Sequence, residues 1–152
     1  MIINWSILSP RKDKADVEVS YSRMKTEGLT DTEIKECADL FSSSYGNYSK
    51  TSAVRPGEKI KMGAGYYKKN YCKPGFYVAL AKIEGKLVGQ AFYIRKRYEG
   101  YGMMTWVLQL VVDRSHRKKG IASTLLRSIW GFSDDYAWGL ATANPCTVKT
   151  LE

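Results

Sequence analysis

The sequence predicts a mixed α/β domain, and three observations carry that expectation. Short apolar runs rich in β-branched and aromatic residues alternate with stretches whose apolar residues recur at helical spacing. One unit, from Leu108 to Trp130, joins the two kinds directly: an apolar run, a basic turn and an amphipathic stretch. At 152 residues, with 44% hydrophobic and 26% charged residues, the chain is sized and composed for one soluble domain around one core. We therefore treat residues 1–152 as a single domain, with residues 1–16 as a loosely structured, charged leader.

Val17 to Met24 alternates in part (Val17, Val19, Tyr21) and reads as the first strand, closed by Gly28. Thr30 and Glu33 have capping-box spacing, which satisfies two free amides at a helix start. Ile34, Cys37, Ala38 and Phe41 follow at i, i+3, i+4 and i+7, so the first helix buries that face with Cys37 as a small core residue. Ser42 to Ser52 is polar and ends it. In Glu58 to Tyr71, the stripe Ile60, Ala64, Tyr67 is weakened by Gly63 and Gly65, which predicts a short or broken second helix. Phe76 to Ile83 and Leu87 to Arg95 are strands joined by Glu84-Gly85-Lys86, and a turn near Glu99 to Gly102 leads into a long strand from Met103 to Val112. The third helix starts at Gly120-Ile121. Ile121, Leu125 and Ile129 recur every four residues, as do Ala122, Leu126 and Trp130, while Ser123, Thr124, Arg127 and Ser128 fall on the other face. Gly131 to Asp135 reads as a loop and Tyr136 to Ala143 as a further strand. Asn144-Pro145 turns the chain into a last helical start that runs to Glu152.

Charge and cysteine usage narrow the function. No run approaches the ~18 apolar residues of a membrane span, and the N-terminal charges follow the apolar part, the wrong order for a secretory signal. Cys37, Cys72 and Cys146 are odd in number and far apart, with no CxxC pair and His116 as the single histidine. A metal cluster is not expected, and reduced thiols in a cytoplasmic protein are. The net charge of +9 has two sources. Lys50, Arg55, Lys59, Lys61, Lys68, Lys69 and Lys73 stand against Glu58 alone, and Arg114, Arg117, Lys118, Lys119 and Arg127 have no acid among them. The second cluster suits a polyanionic ligand; the first could attract an acidic protein, a nucleic acid or nothing in particular.

A strand, a basic glycine-containing turn and a helix together make an anion site. The first turn of a helix leaves amide N–H groups without partners, and its dipole adds partial positive charge. Arg117, Lys118 and Lys119 can reinforce it, and we read the unit as a pyrophosphate cradle. No GxxxxGK[ST] occurs, and Gly120 lacks the company of a GxGxxG fingerprint. What does occur is Arg117-x-x-Gly120-x-Ala122, in register after a strand and before a helix. It resembles the [Q/R]-x-x-G-x-[G/A] acetyl-CoA signature of the GNAT N-acetyltransferase superfamily. The element order β-α-α-β-β-β-α-β-(α) is similar to that fold over roughly residues 17–152.

That resemblance implies acetyl-CoA as cofactor, with the pantetheine arm along Leu110, Val111 and Val112. It places the diphosphate on the amides from Arg117 through Lys118, Lys119, Gly120, Ile121 and Ala122 to Ser123. Small residues at Gly120 and Ala122 let phosphates approach the backbone, and Asn144 matches a position that often contacts pantetheine. The family's acid–base positions do not carry over: Trp106 stands where several members place a glutamate base, and Leu151 where many place a tyrosine acid. Gln109 and Tyr136 are the remaining catalytic candidates, with Tyr93 and Tyr101 as other side chains that could reach the thiol; His116 reads as a solvent-exposed turn residue, Cys146 is not favoured as an acyl-accepting nucleophile, and its neighbour Pro145 fits an early helix position. The last two strands of the fold have no residues here. A trimmed chain is then expected, or a homodimer or partner chain that completes the sheet. Three readings follow. The first is an N-acetyltransferase acting on an amine of a protein or small molecule, with Lys50 to Lys73 and Tyr98 to Met103 flanking the acceptor. The second is an acyl-CoA-binding module with little catalysis. The third is a basic module whose cradle holds nucleic-acid phosphates.

Overall fold

Residues 1–9, 17–130 and 135–142 are described by the computed structural model. They form β1 (Ile3–Ser9), β2 (Val17–Lys25), α1 (Asp31–Ser44), α2 (Ala64–Asn70), β3 (Phe76–Ile83), β4 (Lys86–Tyr98), β5 (Gly102–Val112), α3 (Ile121–Trp130) and β6 (Ala137–Leu140). Single 3₁₀ turns at Thr26–Gly28 and Arg114–His116 follow β2 and β5. The strands lie in one sheet in sequence order, antiparallel from β1 to β5, with β6 parallel to β5.

The sheet is covered on both faces, and β3 shows why it reads as a continuous apolar run. Val78 and Leu80 point toward α1 and α2, where Ile34, Cys37, Phe41, Tyr67, Phe92 and Val111 close one core. Ala79 and Ala81 point the other way, toward Ile121, Leu125, Leu126 and Ile129 of α3. Each of those four α3 side chains is buried, a contribution of about 1.5–3 kcal/mol apiece. Gly89 sets how closely α3 sits on β4. A Cβ there would stand 2.8 Å from Ile121 Cγ2 and 3.2 Å from Leu125 Cδ1.

The capping box forms as expected. Thr30 Oγ1 accepts from the Glu33 amide at 3.2 Å, and Glu33 Oε2 accepts from the Thr30 amide at 3.0 Å. The weak second helix is short, with Gly63 as its N-cap and Gly65 in its first turn. Burial pushes the Cys37 thiol up to about 12, in keeping with a core residue.

Three boundaries differ from the sequence reading. Ile3–Ser9, within the expected leader, is an edge strand paired with β2 over its whole length. Its signal was present as period-2 alternation: Ile3, Trp5 and Ile7 share one face, where Trp5 stacks on Tyr21 at 5.6 Å. The second β-hairpin is longer than expected, because β4 continues through Arg95, Lys96, Arg97 and Tyr98 and β5 begins at Gly102. Those turn-proximal residues of β4 are largely solvent-facing, so pairing and not burial holds them, and no apolar pattern announces it. The described part of the last strand is Ala137–Leu140. The expected final helix and its Asn144, Cys146 and Leu151 lie outside the described residues, as does most of the expected loop at residues 131–134. No helix among the described residues is long and apolar enough to cross a membrane.

Candidate functional site

The site is built on β5 and its departure from its two neighbours. Against β4, Tyr93 pairs with Val107 and Phe92 with Gln109, which leaves Leu108 as an extra residue. This is a β-bulge, and it changes which face the strand presents. Val107 faces the α3 core and Gln109 the α1/α2 core. Leu110 and Val112 then turn back toward α3, whereas an unbroken alternation from Val107 would put both of them on the α1/α2 face.

On its other edge β5 pairs with β6 only from Met104 to Val107, opposite Ala137 to Leu140. The two strands are fastened at their N-terminal ends. The Tyr136 amide donates to Met103 O at 2.8 Å. The buried carboxylate of Asp135 takes Arg95 Nη2 at 2.5 Å and the Thr105 hydroxyl. Beyond Val107 no further pairing follows, so Leu108 to Val112 have an unpaired edge among the described residues. The outward main-chain N–H and C=O groups of this segment thus have no strand partner among the described residues. Leu110, Val111 and Val112 lie within it.

Where β5 ends the chain makes the basic turn. The Asp113 amide donates to Val88 O at 2.8 Å, which ties the turn to β4. The Asp113 carboxylate accepts from the Ser115 hydroxyl and faces His116 Nδ1 at 2.6 Å. The Ser115 bond first, and His116 after it, hold that carboxyl below the usual carboxylate range. His116 is thus part of a turn clasp. Lys118 at φ 59° and Gly120 at φ 78° both occupy the left-handed region, and this sharp course brings the chain into α3. Gly120 is exposed, and a Cβ there would meet nothing within 4 Å. The amides of Ile121, Ala122 and Ser123 precede the first helical bond, Thr124 N to Gly120 O at 2.9 Å, and meet no acceptor among the described residues. The result is an open row of donors at a helix start, with Lys118 exposed beside it.

Two of the expected cations do something else. Arg117 turns inward: Nε donates to Val112 O at 3.2 Å and Nη2 to Ser44 O. Its guanidinium fastens the end of β5 and the last turn of α1, satisfying carbonyls that would otherwise be unpaired, so it does not reach toward the cradle as the sequence reading expects. Lys119 Nζ donates to Ser115 O at 2.9 Å, within the turn itself.

The catalytic candidates are dispersed. Gln109 is 4% exposed, and its Oε1 accepts from Tyr67 Oη at 2.6 Å and Gln90 Nε2 at 2.8 Å. Tyr136 is exposed and meets Tyr101, with ring centroids 5.9 Å apart. Tyr93 is buried on the α3 side, stacked on Tyr77, and burial raises its phenol pKa. Trp106, partly exposed, lies against Gly139 of β6. Tyr67, which the sequence places only in the apolar stripe of the second helix, has its hydroxyl in a buried network. Lys50, Arg55, Lys59, Lys61, Lys68, Lys69 and Lys73 are all exposed. Of this group only Lys68 pairs with a carboxylate among the described residues, Asp31 at 2.8 Å. No group of three or more His, Cys, Asp or Glu side chains placed to hold a metal occurs among the described residues.

Comparison with known proteins agrees with this architecture. The model of the acetyltransferase (GNAT) family matches residues 35–137. No curated protein matches the sequence. Among solved structures, the chain is similar to a ribosomal-protein-alanine N-acetyltransferase from Brucella melitensis biovar Abortus 2308. The TM-score is 0.62 at 21% identity, over 88% of this chain and 87% of that one. It is also similar to an aminoglycoside acetyltransferase from an uncultured soil metagenomic sample, with TM-score 0.60 at 16% identity over 88% and 82% of the two chains. A transcriptional regulator from Bacillus halodurans C-125 gives TM-score 0.62 at 12% identity over 86% and 89%. At such identities the likeness is one of fold.

Proposed function

The chain belongs to the GNAT acetyltransferase family, and from that premise we propose that it transfers an acetyl group from acetyl-CoA to an amine of a protein or small-molecule acceptor. The observation that carries this is the succession of a β5 edge along Leu108–Val112, unpaired among the described residues and read here as one side of a slot, and the open amides at the start of α3. The two are joined end to end by one turn. The slot suits an amide-bearing arm, and the donor row suits a diphosphate. Bound acetyl-CoA supplies a thioester carbonyl open to attack by an amine.

The chain's residues then have simple tasks. The β5 segment Leu110, Val111 and Val112 runs along the arm, with the Leu110 main-chain groups facing outward and Val112 O already taken by Arg117 Nε. Amides from Arg117 to Ser123 hold the diphosphate, with Gly120 and Ala122 keeping the approach open and Lys118 adding charge. A main-chain N–H near the Leu108 bulge would steady negative charge on the thioester oxygen and the slot would hold the reactants in line; the new C–N bond would replace the C–S bond, the coenzyme thiolate leaving and taking up the proton the amine sheds. Two groups sharing one oriented slot gain more from proximity than a mobile acid or base adds, which is about 10²–10⁴-fold.

The acceptor we propose carries negative charge near its amine. The exposed lysines and arginines from Lys50 to Lys73 support this, on the helix and loop that lie over the same face of the sheet as Gln109. A second reading, acyl-CoA binding with little turnover, draws on Trp106, which cannot move a proton from the family's base position. Thiol release from acetyl-CoA should rise with acidic amine-bearing peptides and fall off for them as salt is added. Thermal stabilisation by acetyl-CoA with no thiol release for any amine would select the second reading. Salt-sensitive RNA or DNA binding with no response to coenzyme A would overturn the proposal. Gly120→Glu should abolish cofactor binding in calorimetry by setting a carboxylate against the diphosphate.

A further inference from the structure

We infer that Tyr67 of α2 is a positioning residue for the transfer reaction, acting through Gln109 to fix the β-bulge at Leu108. The inference rests on the proposed acetyl transfer and adds to it the group that sets where the strand's edge amides stand.

Four elements meet in one buried polar network. Tyr67 Oη donates to Gln109 Oε1 at 2.6 Å and accepts from Gln90 Nε2 at 3.0 Å. Gln90 Nε2 also lies 2.8 Å from Gln109 Oε1 and 3.2 Å from Cys37 O. Tyr67 and Gln90 are fully buried and Gln109 nearly so. The ring of Tyr67 is wedged against Phe92 and Tyr71, with centroids 5.2 Å away in each case, and against Phe41 at 6.3 Å. Packing alone asks only for an apolar residue at positions 90 and 109. Two glutamine amides in an apolar core destabilise the fold unless they find partners, so their presence has to be explained by what they specify.

What they specify is register. Gln109 is the first residue after the bulge, and the bulge at Leu108 is what turns it to the α1/α2 face, opposite Phe92. Suppose the extra residue slid one place toward the C-terminus. Leu108 would then pair with Phe92, and Gln109 would become the unpaired residue, out of line with both Tyr67 and Gln90. Its carbonyl would lose two donors inside the protein, and the Tyr67 hydroxyl would lose its acceptor. The network therefore holds the bulge on Leu108 against its nearest alternative. Because Leu108 begins the unpaired edge of β5, the same network sets the direction of the donors that border the slot.

The test is Tyr67→Phe, which keeps the ring and removes only the hydroxyl. Amide hydrogen exchange at Leu108 and Gln109 should quicken about tenfold in the free protein. With acetyl-CoA and an acceptor amine, kcat should fall about tenfold while the Kd for coenzyme A stays within about twofold, since the diphosphate cradle is untouched. The kcat losses of Tyr67→Phe and Gln109→Leu should not add in the double variant, because both break one link. Unchanged exchange at Leu108 together with wild-type kcat would overturn the inference, even if the thermal midpoint dropped, for that pattern marks a purely structural hydroxyl. A wild-type chain inert toward coenzyme A would sink the proposed transfer instead, and the exchange measurement would still decide whether Tyr67 holds the bulge.

Discussion

The indole of Trp106 lies flat against Gly139, its partner on the neighbouring parallel strand. A Cβ built at Gly139 would run into ring atoms Cζ3 and Cε3 and stand 2.9 Å from Cη2. Glycine at this position is a matter of space, and it lets a large aromatic occupy the paired stretch of β5 and β6.

Gly139→Ala should therefore cost about 1–3 kcal/mol, the range for overpacking a well-filled site. Denaturant titration of the variant checks it. In a Trp106→Ala background the same change should cost almost nothing, because the ring it strikes is gone. Equal penalties in the two backgrounds would mean that the strand itself, and not the indole, requires glycine.

Arg117 belongs to the scaffold. Its guanidinium spans Val112 O and Ser44 O, so Arg117→Ala should lower stability by about 1–3 kcal/mol. Arg117→Lys should recover little of that, since one ammonium cannot reproduce a planar fork reaching two carbonyls. Chemical denaturation compared with the salt dependence of coenzyme A binding separates the roles. Unaltered stability with a shallower salt slope would place the guanidinium on the cofactor.

Asp113 links the turn to acid pH. Its carboxyl is held below its ordinary value of 3.8 by Ser115 and then His116, so the folded state binds that proton less readily than the unfolded chain. The stabilisation is thus present above 3.8 and is lost as pH falls from there through the lower folded value. The stability difference between the wild type and Asp113→Asn should stay level from about pH 7 to about pH 5 and shrink below about pH 4. Urea titrations across that range measure it, and a difference that grew in acid would reverse the assignment.

Much of this was legible in the chain. The strand–turn–helix unit was, because a strand, a Gly120 turn and the stripe Ile121, Leu125, Ile129 each impose a periodicity or a backbone demand that residue types record. The first helix was, through the Thr30 and Glu33 box. What escaped has no such record. The bulge at Leu108 changes register without needing a particular side chain, so nothing in Leu108-Gln109-Leu110 marks it. A glutamine in an apolar run suggested chemistry, where Gln109 is held in the core by Tyr67, a partner 42 residues away. Arg117 looked like a ligand cation because sequence shows charge and not the carbonyl of Ser44 that faces it. The arm of β4 from Arg95 to Tyr98 is held by pairing to β5, and its polar residues carry no burial pattern.

The account stands or falls on where acetyl-CoA meets the main chain. Titrating ¹⁵N-labelled protein with acetyl-CoA and following backbone amide shifts addresses this directly. The largest shifts should fall on residues 117–123 and on Leu108–Val112, with Trp106 and Gly139 next to them. Saturable binding that leaves both stretches unmoved, or no binding at all, would contradict it.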